Sequence, residues 1–410
     1  MTLQASVLTI GNELLQGHTL NTNSRFLSAK LTQAGFRVVS QIACDDEIGT
    51  IKKQLGAALA SADVVLVTGG LGPTPDDVTR DAIADYFKVK LRFSPAQYRK
   101  IEASYAKYGG KVPALVKKEA CYPDHAAPLL NAVGIALGFS MRVGRKTVVV
   151  LPGVPSELEN MYEASVKKLL AKRYPDTRPR PHLTIKAINL SEPRVMQLLG
   201  KDFFDQPFKF GIYPEAGQVI VRCSADRPRI IEILRKKAVQ RLGEDIYALE
   251  EISLEEVLGK LLTARKRTVA VAESCTGGLL AAKIAQVPGA SRYFKGGVIA
   301  YSNSVKEKLG VDPRAIRSQG AVSGEVASQM ASRIRERWGT DYGVGITGIA
   351  GPGGGTREKP VGSVYLALAT KRLVIVRKEL FWGDRPRIQQ RAVMKAMGML
   401  WQDLRYPRRK

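Results

Sequence analysis

Three short stretches of this chain carry residue types that can attack or polarise a carbonyl. The first is Glu273-Ser274-Cys275-Thr276-Gly277-Gly278, entered from a strand-like run at 268–272 and left through a small-residue helix at 279–285. A strand that delivers hydroxyls and paired glycines to a helix N-terminus sets O–H and N–H groups where an anion would sit. The same residues would equally make a capped tight turn. The second stretch holds Pro288-Gly289-Ala290-Ser291, Gly296-Gly297, a strand expected to end on Ala300-Tyr301-Ser302-Asn303, and then Lys306. The third is Thr347-Gly348-Ile349-Ala350-Gly351-Pro352-Gly353-Gly354-Gly355, after the apolar run 342–346 and before Lys359-Pro360-Val361-Gly362. Each loop follows a strand, so the three are expected to converge at one end of a sheet, where open α/β folds bind ligands.

The histidines limit the chemistry. His18, His125 and His182 are the only ones, and none lies near these loops. A Ser-His-Asp triad, a Cys-His pair or a histidine-ligated zinc built within this part of the chain is therefore excluded. A nucleophilic hydroxyl would need another base, and lysine can serve where desolvation or a neighbouring cation lowers its pKa. Lys306 stands just beyond the second loop, although beside Lys308 it would equally read as a solvated lysine at a helix start.

Elements that could position such loops are legible along the chain. Strands are expected at 5–10, 38–43, 64–68 and 147–151, alternating with helices at 23–34, 48–61 and 156–171, the pattern of a doubly wound α/β domain. Residues 173–182, RYPDTRPRPH, cannot continue a helix and mark a linker. A small α+β segment follows, with strands at 183–189 and 218–224 and a helix at 229–242, and a third segment opens with a helix from 252 through 262. A chain of 410 residues that is 45% hydrophobic has material for several cores, and the expected domains are 1–172, 180–250 and 252–408.

No uninterrupted apolar stretch is long enough for a membrane span, and no signal sequence opens the chain, so a cytoplasmic location is expected. Cys44, Cys121, Cys223 and Cys275 are scattered singly, without zinc-site pairing, and read as reduced thiols. The net charge of +25 favours anionic ligands, but the basic residues are spread along the chain with only short clusters at 265–267 and 408–410. A basic solvated surface explains them better than nucleic-acid binding does.

The motifs ESCTGG, PGAS, AYSN with its lysine, GAVS at 320–323, TGIAGPGGG, KPVG and Gly383-Asp384-Arg385 together resemble the CinA (competence-damage-inducible) family, in this order and over nearly the whole chain. The resemblance implies that the C-terminal domain is a nicotinamide mononucleotide deamidase, releasing nicotinic acid mononucleotide and ammonia without metal or cofactor. It implies Ser291 as nucleophile and Lys306 as its base. Tyr301 and Asn303 would hold the carboxamide or ring and Thr347, with Gly348, would position it. Ser274, Thr276, Gly277 and Arg385 would bind phosphate or ribose. Ser274 and Cys275 remain rivals for the nucleophile, because a strand-to-helix turn exposes such a group and a cysteine there can ionise.

Gly11-Asn12-Glu13, Asn21-Thr22-Asn23, Asp45-Asp46, the run Thr68 to Thr79 (TGGLGPTPDDVT) and Leu151-Pro152-Gly153-Val154-Pro155 resemble the molybdopterin-binding-like domain of the same family. Cys44 stands where that family usually has glycine, and Ala136-Leu137-Gly138 replaces its Ala-Pro-Gly. Gly69, Gly70, Gly72, Thr74 and Asn23 would bind a nucleotide. Asp76 and Asp77, with Glu13, would grip a divalent cation (magnesium, manganese or cobalt) against a pyrophosphate. The simpler reading of the aspartates is a favourable interaction with a helix dipole. The resemblance implies ADP-ribose pyrophosphatase activity with potassium as a further cofactor, and the competing reading is a nucleotide- or pterin-binding module without turnover. The middle segment resembles the family's KH-like domain but lacks the G-x-x-G loop of RNA-binding KH domains, so a connector or dimerisation element is expected. The partners expected are nucleotide substrates and a second copy in a homodimer, with no membrane and no specific nucleic acid. A DNA-uptake or repair accessory protein is the non-enzymatic alternative.

Overall fold

A computed structural model describes residues 3–107 and 109–406; the basic cluster at 408–410 lies outside them. The chain divides into two compact units, Met1–Arg180 and Pro181–Lys410, and the break falls within the proline-rich stretch read as a linker.

In the first unit β1 (Gln4–Ile10), α1 (Thr22–Gln33), β2 (Arg37–Cys44), α2 (Ile48–Ser61) and β3 (Val64–Thr68) alternate as expected. After α3 (Thr79–Tyr86) come β4 (Ala127–Leu129), β5 (Gly138–Val143), β6 (Lys146–Leu151) and α4 (Pro155–Met161). The sheet order is β2-β1-β3-β6-β5-β4. The first four strands are parallel and the last two antiparallel. Leu8 and Val65 enter one apolar cluster while Val7 and Leu66 enter the other, so both faces of the central strands are covered. The helix expected at 156–171 is interrupted by a wider i→i+5 turn at Tyr162–Val166 before resuming at Lys167–Arg173.

The second unit holds two sheets. The first contains β7 (His182–Ile188), followed by α5 (Glu192–Leu199), then β8 (Lys209–Glu215), β9 (Gln218–Ser224), α6 (Pro228–Leu242) and β10 (Ile246–Ala248), in the antiparallel order β8-β9-β7-β10. Strand β8 escaped the sequence reading because it is an exposed edge that includes Gly211 and Pro214.

The second sheet comprises β11 (Val269–Glu273), β12 (Phe294–Ile299), β13 (Tyr342–Gly348), β14 (Ser363–Ala369) and β15 (Val374–Leu380). Its helices are α7 (Leu254–Ala264), α8 (Leu279–Ala285), α9 (Asn303–Leu309), α10 (Gly324–Trp338) and α11 (Arg385–Arg405). The order is β12-β11-β13-β14-β15, with β12, β11 and β13 parallel and the last two antiparallel. Val269 and Val271 of β11 face one core while Ala270 and Ala272 face the other. A central strand buried on both sides is expected to be apolar on both faces, as 269–272 reads, and Glu273 at its end is the buried exception.

Candidate active site

Parallel strands bring their carboxyl ends to one edge, and Glu273 of β11 lies in register with Ile299 of β12 and Ile346 of β13. The three loops that follow these strands therefore meet. Ser274 N–H donates to Ile346 O (2.9 Å), joining the first loop to the third. Arg385 joins the third to the second, donating to Gly351 O (2.8 Å) and to the Tyr301 hydroxyl (2.9 Å). Thr347, fully buried, donates its hydroxyl to Ala321 O (2.9 Å).

The centre of this meeting is Lys306. It is 1% exposed, and its Nζ lies 2.7 Å from Ala300 O, 3.2 Å from Tyr301 O and 3.1 Å from Ser274 Oγ. The strand expected to run to Asn303 stops at Ile299 instead, and Ser302 caps α9 through Val305 N–H. That turn carries Lys306 inward while leaving Asn303 exposed on the first helical turn. Burial lowers the Lys306 pKa from its ordinary 10.5. As an ammonium Lys306 donates to all three oxygens. In the neutral form an amine has two N–H donors and one lone pair, so with the two carbonyls taking the hydrogens the lone pair would face the Ser274 hydroxyl.

The structure corrects the pairing of Ser291 with Lys306. Ser291 is exposed in a short turn that precedes β12, whereas Lys306 follows it, and β12 runs from Phe294 to Ile299. Six residues of strand at about 3.3 Å each separate the two edges of the sheet by roughly 17–20 Å. The hydroxyl within reach of the lysine is Ser274, at the carboxyl end of the neighbouring parallel strand.

The first loop is also not a vacant phosphate cradle. The Glu273 carboxylate, 1% exposed, accepts from Gly278 N–H (3.2 Å), Leu280 N–H (3.1 Å) and Ala281 N–H (2.8 Å), filling the N-terminus of α8 with a protein anion. Gly278 has φ +99°, in the left-handed region glycine tolerates, and this turns the chain back over Glu273. Gln389 pins the loop by donating to Cys275 O (2.7 Å). The Cys275 N–H lies against its own thiol, and the Thr276 N–H has no hydrogen-bond partner among the described residues. The buried Thr276 hydroxyl has none either, and Gly277 is exposed beside it. Burial pushes the Cys275 thiol pKa up to about 12, so it stays protonated and a poor nucleophile. Glu273 and Gln389 were missed in the sequence. An acid closing a strand immediately before a glycine turn and a helix was the available signal for Glu273.

In the first unit the carboxyl ends of β1, β2, β3 and β6 likewise share an edge. Asn23 Nδ2 donates to Thr68 Oγ1 (3.2 Å) and Gly153 O (2.7 Å), tying α1 to two of these loops. Gly69, at φ +106°, must be glycine, since a Cβ there would stand 2.0 Å from Ile10 O; Gly70 follows with φ +63°. Asp77 is engaged within its own loop. Its carboxylate accepts from Gly72 N–H (2.8 Å), Thr74 N–H (2.9 Å) and the Thr74 hydroxyl (2.6 Å), so all three residues close their own loop. Buried Arg80 holds the same loop through the Leu71 and Gly72 carbonyls. Asp76 is exposed, and Glu13 folds back against Gly11. Burial raises the pKa of Asp46, and the negative charges of Glu13, Asp76 and Asp77 add to this against the Asn12 N–H bond. Among the described residues no group of three or more His, Cys, Asp or Glu stands close enough to hold a metal. The carboxylates present do not form a ready ligand set for a cation. Among the described residues no helix is long and apolar enough to cross a membrane.

The folds and loop edges define an α/β protein of two units, each with a polar, glycine-rich site at the carboxyl edge of a sheet. Residues 6–172 match the model described as a probable molybdopterin binding domain, and residues 251–404 match the CinA C-terminal domain. A putative competence-damage inducible protein of Clostridium acetobutylicum is 38% identical over 95% of this chain and 97% of its own length. A CinA-like protein of Thermotoga maritima is 36% identical over 96% of each. A solved structure of a protein CinA with unknown function from Thermoplasma acidophilum is 37% identical, covers 41% of this chain and 98% of that chain, and has a TM-score of 0.39. This chain belongs to the CinA family.

Proposed function

We propose that the C-terminal domain hydrolyses the carboxamide of nicotinamide mononucleotide, with Ser274 as nucleophile and Lys306 as general base. The observation that carries this reading is the buried contact of 3.1 Å between Lys306 Nζ and Ser274 Oγ. Ser274 Oγ attacks the amide carbon as its proton passes to the neutral Lys306 amine. The free N–H of Thr276, with the Cys275 N–H beside it, faces the developing oxyanion. The C–N bond then breaks, and the Lys306 ammonium returns its proton to the departing ammonia. Water attacks the resulting ester, losing a proton to Lys306 that is passed back to Ser274, and nicotinic acid mononucleotide leaves. Arg385, placed by Gly351 and Tyr301, meets the phosphate or ribose end of the substrate, and Tyr301, 58% exposed, offers its ring to the pyridine. Every group used lies in the second unit, and none requires a metal.

The test is to incubate the protein with nicotinamide mononucleotide in EDTA and separate the products by chromatography. Ammonia and nicotinic acid mononucleotide in equal amounts support the reading, and unchanged substrate rejects it. For the first unit the proposal is a nucleotide site at the edge formed by Asn23 and the Gly69–Gly70 loop. Hydrolysis of ADP-ribose there is tested by AMP release in a divalent metal salt.

A further inference from the structure

A cleft of about 740 Å³ lies within the second unit, bounded by the turn after β7, the β8–β9 hairpin, the end of β15 and one side of α11. Its volume lies in the range of small-molecule sites. Trp382, two residues beyond β15, is 72% exposed, an unusual solvent cost for the largest apolar side chain. The Arg391 guanidinium lies over its ring at 3.8 Å and donates to Trp382 O (2.7 Å), which fixes the indole and leaves its other face open.

Arg387 stands one helical turn away on α11. Burial and the like charge of Arg387 both lower the Arg391 pKa, and no carboxylate acts on it. Of the acids of the same cleft, Glu379 pairs with Lys395 at 3.0 Å and Glu215 accepts from Gln218 at 2.7 Å, while Glu192 stands on the facing side in the first turn of α5. Among the described residues Arg387 pairs only with the exposed Asp384, at 4.0 Å. Two cations are thus held beside an open aromatic face without full compensation. An anion would relieve that repulsion, and a flat ring would cover the exposed indole.

We propose that this cleft is a second ligand site, separate from the Ser274–Lys306 pair, that takes a phosphate-bearing aromatic ligand of the nucleoside monophosphate class. The ring stacks on the free face of Trp382 and the phosphate meets Arg387 and Arg391. Glu192, on the facing side, accepts a sugar hydroxyl.

Trp338, Trp382 and Trp401 are the only tryptophans, and all lie in the second unit, so none reports from within the first. The experiment titrates the full-length protein with AMP while following tryptophan emission, with adenosine and inorganic phosphate in parallel. Saturable quenching by AMP is expected, at least tenfold weaker with adenosine and absent with phosphate alone. Trp382→Phe should abolish the quench, and Arg387→Ala or Arg391→Ala should weaken binding at least tenfold; Arg387→Ala provides the test should Arg391→Ala fail to fold. Ser274→Ala should leave the titration unchanged, so the result stands apart from the fate of the proposed deamidation. No quench in the wild type, a quench that survives Trp382→Phe, equal affinity in Arg387→Ala, or loss of the quench in Ser274→Ala would overturn the proposal.

Discussion

Glu273→Gln isolates what holds the first loop. In the wild type one buried carboxylate accepts three backbone N–H bonds at 2.8–3.2 Å from the start of α8. Bonds to a charged acceptor contribute about 1.5–3 kcal/mol each and neutral ones about 0.5–1.5. Glutamine is nearly isosteric, but it retains one oxygen and turns an NH2 group towards donors that need an acceptor. Counting one bond lost and the others weakened gives a destabilisation of about 3 kcal/mol. For a unit of this size that corresponds to a fall in Tm of about 6–12 °C. Thermal unfolding followed by tryptophan emission reads this unit alone, because all three tryptophans belong to it. A fall of less than about 2 °C would show that the carboxylate is not what anchors the loop.

The depressed Lys306 pKa gives deamidation a rising limb with pH, with half-maximal turnover below the ordinary 10.5; turnover with no acid limb anywhere below that value, or one that first rises above it, would contradict a depressed lysine base. The sign for stability is the same: between the two pKa values the unfolded chain holds a proton the folded one sheds, so stability at the Lys306 site rises with pH across that window. Asp77→Ala, which opens the 72–77 loop, should destabilise the first unit by about 1–3 kcal/mol in urea, while Asp76→Ala changes it by less than about 0.5. Cys275→Ala should retain most turnover, and the native thiol should resist iodoacetamide at neutral pH; rapid alkylation would contradict a thiol held near 12.

The strands, the linker and the three loops were legible because each rests on local pattern: β-branched runs, proline density and glycine turns. The pairing across the site was not. Ser274 and Ser291 both sit in glycine-rich loops, and likeness of motif alone favoured Ser291. Chain direction decides between them: Ser274 follows a strand and Ser291 precedes one, so in a parallel sheet they lie on opposite edges. That inference was available from the sequence once the strands were placed. Asp77 illustrates the opposite limit. Its bonds to Gly72 and Thr74 depend on how a six-residue loop closes, and no pattern of residue types distinguishes that from a cation ligand. Likewise the long helix α11, which supplies Arg385 and Gln389 from far along the chain, meets the first loop only in three dimensions.

The central claim is that Ser274, not Ser291, is the partner of Lys306. It is tested most directly by measuring release of nicotinic acid mononucleotide by Ser274→Ala and Ser291→Ala side by side, each checked by circular dichroism for a wild-type fold. The expected result is a loss of at least about 1,000-fold in Ser274→Ala and a change of less than about threefold in Ser291→Ala, with Ser274→Ala/Lys306→Ala scarcely worse than Ser274→Ala, since a nucleophile and its base act as one unit. Near-wild-type turnover in Ser274→Ala with an inactive, folded Ser291→Ala would contradict the account.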